Sequence, residues 1–246
     1  MPYPRLVLLS GWGIDRRIWQ SLEAYWPRET EVQPIDWPGY SEGDGGTPAL
    51  PANATMAQLA ESMATSLSHD TVWVGWSLGG LLATALLDYL PAPKGLILLG
   101  AGATFCADDG VTTAELKAFQ RAFQRDPTAT WQHFLRWQAQ GEPSPRQAYR
   151  QLRDLLGETP PADSITLATG LQWLASIDNR SRLAAAPCPV VRLTGEHDPL
   201  ISPVQRSASE RLSGVGHCPM LSQPQALAAA INHHSTQMAN ADMAVL

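Results

Sequence analysis

A serine stands between glycines in the pentapeptide Gly75-Trp76-Ser77-Leu78-Gly79. A β-branched and aromatic run precedes it at residues 71–74, and an apolar stretch of helical length follows at residues 79–87. A small-x-Ser-x-small pattern between a strand and a helix is typical of a sharp turn that thrusts the serine oxygen outward as a nucleophile. The pattern therefore predicts that Ser77 can attack an electrophilic carbon. The alternative is a glycine-rich helix start whose amides bind an anion.

A serine nucleophile requires a base, and a carboxylate and a histidine follow Ser77 in the chain order that such turns use. Asp198 lies in the polar turn after the strand-like residues 189–193, and His217 lies in the glycine-flanked turn Gly216-His217-Cys218-Pro219. We predict that His217 takes the serine proton and returns it to the leaving group, while Asp198 orients the ring and stabilises its charged form. Loops at strand ends suit these roles because the sheet beneath them is rigid.

The acid and the base have neighbours that are alternatives for the same roles. Glu196 and His197 lie beside Asp198, although adjacent residues in a turn usually point apart. Asp198 and His217 are only 19 positions apart, and this interval must hold a helix and the last strand. A helix over about residues 203–211 leaves only residues 212–215, so the last strand is predicted to be very short or missing.

Two backbone amides are predicted to bind the oxyanion that forms when serine attacks a carbonyl group. A strand run at residues 6–9 breaks at Ser10-Gly11-Trp12-Gly13, and a helix pattern follows. The amide after the nucleophile, Leu78 N–H, is one expected donor, and Trp12 N–H is the other. Losing one such donor lowers the rate by about a hundred- to a thousandfold. The alternative is that the glycines only form the turn between strand and helix.

The order of elements predicts an α/β fold with a mainly parallel sheet, helices on both faces and an inserted helical cap. Strands are expected at about residues 5–9, 31–35, 71–75, 95–99 and 189–193. We predict a core from residues 1–102 and 184–246, with residues 103–183 as the cap. Thr112-Thr113-Ala114-Glu115 is a capping-box pattern, and Ser144-Pro145 places a proline at a first helical position. The cap would cover the carboxyl ends of the strands, where ligands of such sheets bind.

Composition limits the functional classes. The chain has 246 residues, 44% of them hydrophobic, and a net charge of −6. No apolar run approaches the roughly 20 residues of a membrane span, and no leader pattern is present, so we expect a cytoplasmic protein. The three cysteines, Cys106, Cys188 and Cys218, form no metal-ligand pattern and are expected to be free thiols. We expect no metal or organic cofactor, no nucleic-acid partner and a monomer, with a disordered tail after His234.

The predicted cap is more basic than the rest of the chain. Residues 112–155 contain seven basic and four acidic side chains, although the whole chain is acidic. Arg146, Arg150 and Arg153 have the i, i+4, i+7 spacing that places them on one face of a helix. This face is either an ordinary solvated surface or a docking site for an acidic partner. Aromatic and apolar side chains of the same segment are either the core of the cap or the lining of an acyl tunnel: Phe119, Phe123, Trp131, Phe134, Leu135 and Trp137.

These motifs resemble the α/β-hydrolase superfamily, because four landmarks follow in its order. They are Ser10-Gly11-Trp12-Gly13, Asp36-Trp37-Pro38-Gly39-Tyr40, Gly75-Trp76-Ser77-Leu78-Gly79-Gly80, and Gly195 to Asp198 followed by His217. The superfamily commonly has histidine where this chain has Ser10. That difference should alter the hydrogen bonds behind the loop more than the oxyanion donors themselves.

Within the superfamily, the chain most resembles the biotin-pathway esterases that demethylate pimeloyl-acyl-carrier-protein methyl ester. The matching segments are Leu8-Leu9-Ser10-Gly11-Trp12-Gly13 with Trp19, Gly75-Trp76-Ser77-Leu78-Gly79-Gly80-Leu81, and Phe134-Leu135-Arg136-Trp137-Gln138. The resemblance implies that the substrate site is lined by Trp12, Leu78, Phe134, Leu135, Arg136, Trp137 and Gln138. An acyl-carrier protein that carries the ester would fit the arginine-bearing face as its acidic partner.

The sequence therefore predicts a serine carboxylesterase that acts through an acyl-enzyme. The same motifs also fit a general short-chain esterase or thioesterase, or a lyase that uses the same three side chains. A non-catalytic binding protein of the same fold is a further alternative, because the segment before His217 is short.

Overall fold

A six-stranded sheet lies at the centre of the part of the chain that the computed structural model describes, residues 4–40 and 47–241. Its strand order is β2-β1-β3-β4-β5-β6, and every neighbouring pair in it is parallel. The strands are β1 Arg5–Leu9, β2 Glu31–Ile35, β3 Val72–Trp76, β4 Gly95–Leu99, β5 Val190–Gly195 and β6 Glu210–Leu212. The five strands predicted from the sequence are confirmed within two residues at each end.

The central strands are buried on both sides. Every residue of β3 and β4 is buried, whereas β2 at the edge alternates between exposed and half-buried positions until Ile35. Successive side chains of a strand point to opposite faces, so full burial means that helices cover both faces of the sheet. Pro34 is tolerated in β2 because an edge strand can lose one ladder hydrogen bond.

Helices connect the strands, and several of them lie between β4 and β5. The helices are α1 Met56–Met63, α2 Leu78–Ala85, α3 Thr113–Arg125, α4 Pro127–Gln138, α5 Pro145–Leu156, α6 Ser164–Ser176, α7 Arg180–Ala184, α8 Pro203–Ser207, α9 Pro219–Ser222 and α10 Pro224–Ala241, with 3₁₀ helices at Arg16–Tyr25 and Leu86–Asp88. We call α3 to α7 the helical insertion. Among the helices of the described residues, none is both long enough and apolar enough to cross a membrane.

Two start signals in the helical insertion are confirmed. The Thr112 hydroxyl accepts a hydrogen bond from Glu115 N–H at 3.2 Å, and the Glu115 carboxylate accepts one from Thr112 N–H at 2.8 Å. This reciprocal pair begins α3 and satisfies two amides that have no partner within the helix. Pro145 is the first residue of α5, where its fixed φ suits a helix and its missing N–H costs nothing.

The last strand of the sheet, β6, is only three residues long, and the sequence predicts that it is very short or missing. α8 ends at Ser207 rather than near residue 211, and β6 begins at Glu210 rather than at residue 212. The Ser207 hydroxyl donates to Val204 O at 2.7 Å, and the Ser209 hydroxyl donates to Gln205 O at 2.9 Å. Serine side chains that bond to backbone carbonyls compete with helix continuation, which accounts for the early end.

The prediction of disorder after His234 is wrong for residues 235–241. α10 continues to Ala241, with Ser235, Met238 and Ala239 buried. Met238 packs directly over Gly95, where an added Cβ would lie 2.2 Å from its sulfur. An apolar face on the last turns therefore fixes them to the sheet. Residues 242–246 lie outside the described residues.

Candidate active site

Ser77 lies in a strained turn between β3 and α2. Its φ of 56° and ψ of −124° are backbone angles that a residue with a side chain rarely adopts. A Cβ added at Gly75 would lie 2.6 Å from Gly80 Cα, and one added at Gly79 would lie 2.6 Å from Leu9 O. Both glycines are therefore required sterically, and they let strand and helix approach closely enough to hold the serine in this turn.

The Asp198 carboxylate and the His217 imidazole form a buried pair on neighbouring loops. His217 Nδ1 lies 2.7 Å from Asp198 Oδ2, and both side chains are at most 1% exposed. The second carboxylate oxygen, Oδ1, accepts a hydrogen bond from Leu200 N–H at 2.9 Å, which fixes the carboxylate plane. A ring held in this way carries its proton on Nδ1 and presents Nε2 as the base.

The imidazole lies against the turn that bears Ser77. Trp76, the residue before Ser77, donates from Nε1 to His217 O at 2.9 Å, and the two rings are 5.4 Å apart between centroids. His217 Nε2 is buried and has no hydrogen-bond partner among the described residues, so its bond to Ser77 Oγ is not formed in this structure. Catalytic hydrogen bonds of this kind often tighten only when substrate is bound.

The two alternatives beside Asp198 are exposed. Glu196 Oε2 accepts a hydrogen bond from Gly214 N–H at 3.0 Å, and His197 contributes its backbone N–H to Val215 O at 2.9 Å. The geometry therefore brings together Asp198 and His217, and it leaves the side chains of Glu196 and His197 on the surface.

The loop that carries Trp12 lies directly beside Ser77. A Cβ added at Gly11 would lie 3.0 Å from Ser77 Cβ, so the backbone of this loop contacts the serine. In the described part of the chain, neither Trp12 N–H nor Leu78 N–H donates to a protein acceptor. Both amides are therefore available to an oxygen of a bound molecule, as an oxyanion site requires.

Ser10, which stands where the superfamily commonly has histidine, anchors this loop through two tryptophans. Its hydroxyl accepts a hydrogen bond from Trp19 Nε1 at 3.0 Å and donates to Asp15 O at 3.2 Å. Its carbonyl accepts a hydrogen bond from Trp37 Nε1 at 2.8 Å. Ser10 thus ties this loop to Trp19, to Trp37 and to the Asp15 carbonyl.

The Trp12 side chain joins this loop to the helical insertion. Its ring meets those of Phe119, Phe123 and Phe134 edge-on, with centroids 5.6, 5.7 and 5.2 Å away, and its Nε1 donates to Leu167 O at 2.8 Å. Most of the predicted aromatic and apolar set is at most 4% exposed: Phe123, Trp131, Phe134 and Leu135. The structure favours the interpretation of these side chains as the core of the insertion. The Trp12 ring belongs to the loop beside Ser77 and packs against Phe134.

The segment from Phe134 to Gln138 divides between two places. Arg136 is exposed, and its guanidinium lies 5.0 Å from the Tyr149 ring centroid, beside the arginines of α5 and not toward Trp12. Trp137 is half-buried, 6.3 Å from Phe134 between centroids. Gln138 is buried, and its Nε2 has no hydrogen-bond partner within the described residues. The substrate-site role expected for Arg136 stays a prediction.

A small cavity that was not predicted from the sequence lies beside Leu78. Its lining includes Trp37, Tyr40, Thr166 and Trp173. Burial raises the pKa of the Tyr40 hydroxyl, which stays neutral and accepts a hydrogen bond from Gly13 N–H at 3.0 Å. Thr166 Oγ1 is buried and has no partner in the described residues. The motif at residues 36–40 supplies one wall, but its pattern did not predict a cavity, and no motif marked the α6 residues that complete the lining.

Glu142 was also missed. This carboxylate is 4% exposed, and its Oε1 accepts a hydrogen bond from Cys218 N–H at 2.6 Å, next to His217. The sequence marks it only as an acidic residue in a turn, because its partner is 76 positions away.

Cys106, Cys188 and Cys218 are free, and burial raises the pKa of the Cys218 thiol well above its usual value. The described residues contain no group of three or more His, Cys, Asp and Glu side chains that could hold a metal ion.

The chain belongs to the alpha/beta hydrolase family, because residues 6–230 match the sequence profile of that family. It is similar to the pimeloyl-[acyl-carrier protein] methyl ester esterase of Sodalis glossinidius, with 32% identity over 89% of this chain and 88% of that protein. The protein of the same name from Edwardsiella ictaluri is 32% identical over 92% of this chain and 91% of its own length. An esterase structure from Exiguobacterium antarcticum superposes with a TM-score of 0.77 at 18% identity, covering 96% of this chain and 93% of that one. This last likeness supports the fold alone.

Proposed function

We propose that this chain is a serine carboxylesterase that hydrolyses the methyl ester of pimeloyl-acyl-carrier protein in biotin synthesis. The observation that carries the chemistry is the buried contact of His217 Nδ1 with Asp198 Oδ2 beside the strained turn of Ser77. The substrate is proposed because the chain is similar to pimeloyl-[acyl-carrier protein] methyl ester esterases. The similarity covers about nine-tenths of the length of these relatives. Residues 103–183 form the cap over a core of residues 1–102 and 184–246. The cytoplasmic location and the monomeric state stay predictions.

The reaction follows from the atoms at the site. Ser77 Oγ attacks the ester carbonyl carbon while His217 Nε2 takes the hydroxyl proton, and the Trp12 and Leu78 amides bind the oxyanion. The tetrahedral intermediate collapses, the carbon–oxygen bond to the methoxy group breaks, and His217 gives the proton to departing methanol. Water then attacks the acyl-enzyme with His217 again as base, which releases the free carboxylate and restores Ser77. Asp198 stabilises the imidazolium in each half-reaction.

Two apolar surfaces are available to the acyl chain. The Trp12 and Phe134 rings form one of them, and the cavity lined by Leu78, Trp37 and Trp173 is the other. A pocket that is mostly apolar with a few polar groups suits an ester whose chain is hydrocarbon. We propose that one of these surfaces holds the methylene chain next to the ester.

The carrier protein would bind the exposed face of α5. Arg146 and Arg150 are exposed, line a shallow groove with Tyr149, and form no ion pair with any described residue. Arg153 lies in the same groove but is paired with Glu158, 2.7 Å away. The interpretation as ordinary surface therefore fits Arg153, whereas Arg146 and Arg150 remain available to an acidic partner, which they would steer by charge.

A fluorophosphonate probe tests the catalytic proposal. We expect covalent labelling of the wild-type chain and none of Ser77→Ala, because the probe forms a bond only with an activated serine oxygen. Thermal unfolding of both proteins controls for loss of fold. A wild-type chain that is folded and unlabelled would instead support the non-catalytic binding protein.

Charge reversal tests the carrier proposal. Arg146→Glu with Arg150→Glu should raise KM for the carrier-bound methyl ester about tenfold or more and leave hydrolysis of a p-nitrophenyl ester unchanged. The matched control is Arg121→Glu with Arg125→Glu. It changes the net charge of the insertion by the same amount, but on α3 instead of α5. Equal effects of both double variants would contradict docking at α5. Hydrolysis of small esters together with no turnover of the carrier-bound ester would favour the general short-chain esterase.

A further inference from the structure

The turn between α4 and α5 contacts both loops that carry the proposed acid and base. Gly141 has φ +88°, and a Cβ there would lie 2.1 Å from His197 O, next to Asp198. A Cβ at Gly216 would lie 2.8 Å from Gln140 O, in the same turn. Backbone meets backbone at both places, so the helical insertion packs against the loops after β5 and β6 without side chains between them.

Glu142 makes the hydrogen bonds of this contact. Its Oε1 accepts from Cys218 N–H at 2.6 Å, and its Oε2 accepts from the Ser222 hydroxyl. Glu142 forms no ion pair with a described residue, although it is buried. A buried carboxylate without a cation is costly, whereas hydrogen bonds to a charged acceptor are about twice as strong as neutral ones. These two hydrogen bonds therefore tie the turn between α4 and α5 to residues 218–222.

The chain that leads from β6 to His217 has little support from the sheet. β6 is only three residues long, and the chain from Ser213 to Cys218 runs beyond it. Its other described hydrogen bonds include those from Gly214 N–H to Glu196 Oε2, from Gln223 Nε2 to Ser213 O, from His197 N–H to Val215 O and from Trp76 Nε1 to His217 O. Glu142 holds the residue directly after His217 and also the last residue of α9. It thus fixes the backbone that directly follows His217.

We infer that Glu142 is a positioning residue for His217, which sets the place of the imidazole relative to Ser77 from within the helical insertion. This inference rests on the proposed esterase function. It gives the short β6 a physical counterpart: the hold that a longer last strand would provide by ladder hydrogen bonds comes here from a carboxylate of the insertion.

The test compares Glu142→Ala and Glu142→Gln with wild type on a p-nitrophenyl ester. We expect Glu142→Ala to lower kcat about 10- to 100-fold with KM within about twofold, because small misplacements of a catalytic group have effects of this size. Glu142→Gln should restore most of kcat, since its carbonyl can accept from Cys218 N–H and its amide can donate to Ser222 Oγ. The matched control is Gln120→Ala, which removes a hydrogen bond from Gln120 Nε2 to Leu171 O inside the insertion.

A second readout separates positioning from stability. The downfield proton resonance of His217 Nδ1–H should shift or broaden in Glu142→Ala and remain in Gln120→Ala. If Glu142→Ala does not fold, Ser222→Ala removes one donor to the carboxylate and should lower kcat about two- to tenfold. The inference is overturned if kcat and the resonance are unchanged in the folded Glu142 or Ser222 variant. An unlabelled, inactive wild type would contradict the esterase proposal instead, and the resonance would still test the position of His217.

Discussion

The turn at Ser77 and the loop at His217 are held in different ways. The turn follows β3, a buried strand paired on both sides by β1 and β4, and its shape is fixed by glycines within three residues of the serine. The loop follows β6, a three-residue strand at the sheet edge. The two hydrogen bonds that flank the imidazole come from far along the chain, one from Glu142, 76 positions away, and one from Trp76, 141 positions away.

This difference separates two kinds of catalytic geometry. Local sequence largely determines the conformation of the nucleophile, because strand, turn and helix follow one another and Gly75 meets the backbone of Gly80 within the same turn. The position of the base depends on packing between distant segments. Changes near Ser77 should therefore affect stability and activity together, whereas changes around His217 should affect activity more than stability.

The largest effect is expected at Asp198, whose carboxylate holds the imidazole of the histidine loop. Asp198→Asn should lower kcat about 10⁴-fold, because the amide would donate to His217 Nδ1 and leave the wrong tautomer facing Ser77. The amide is nearly the same size as the carboxylate, so the melting temperature should change little. Burst and steady-state kinetics with a p-nitrophenyl ester measure the loss. A decrease of less than tenfold would mean that another group supports the imidazole.

A methyl group at the turn tests the steric side of the comparison. Gly79→Ala places Cβ 2.6 Å from two carbonyl oxygens, those of Leu9 and Ser10, which belong to β1 and its loop and cannot move freely. We expect a loss of about 3 kcal/mol in unfolding free energy, hence a melting temperature lower by about 6–12 °C, and a kcat about 100-fold lower.

Gly102→Ala is the matched control for Gly79→Ala. The three nearest atoms to a Cβ at Gly102 all belong to the Gln205 carboxamide, the flexible end of a side chain that can rotate away. Its cost should stay below about 1 kcal/mol. Equal losses at both glycines would show that the turn is no more constrained than the rest of the chain.

The same division decides what could be predicted from sequence. The strands, the turn at Ser77 and the capping box at Thr112 depend on neighbouring residues, and their patterns predict them. The short β6 also follows from counting residues before His217. Glu142 and the outward position of Arg136 depend on which helix face packs inward, and one sequence does not specify that. The ordered last turns of α10 depend on Met238 meeting Gly95, a contact across the whole fold.

A smaller effect is expected from Trp76, which touches the histidine loop from the side of the turn. Trp76→Phe removes the donor to His217 O and keeps most of the ring packing. We expect kcat to fall about fivefold, since one hydrogen bond is worth about 1 kcal/mol. Trp73→Phe is matched, because Trp73 is equally buried and donates from Nε1 to Ser68 O at 3.0 Å at the other end of β3. It should lose similar stability while kcat stays the same, and a parallel fall in kcat would contradict the comparison.

The smallest effect is expected at Glu196, the exposed neighbour of Asp198. Glu196→Ala removes one hydrogen bond to Gly214 N–H at the start of the histidine loop, on the side where water can replace the lost acceptor. The fall in kcat should not exceed about threefold, because an exposed bond contributes less than the buried one from Glu142 to Cys218 N–H. Steady-state kinetics of Glu196→Ala and Asp198→Asn under one set of conditions measure the contrast. A loss at Glu196 that rivals the loss at Asp198 would assign the acid to Glu196 and leave the buried contact of His217 without a catalytic role.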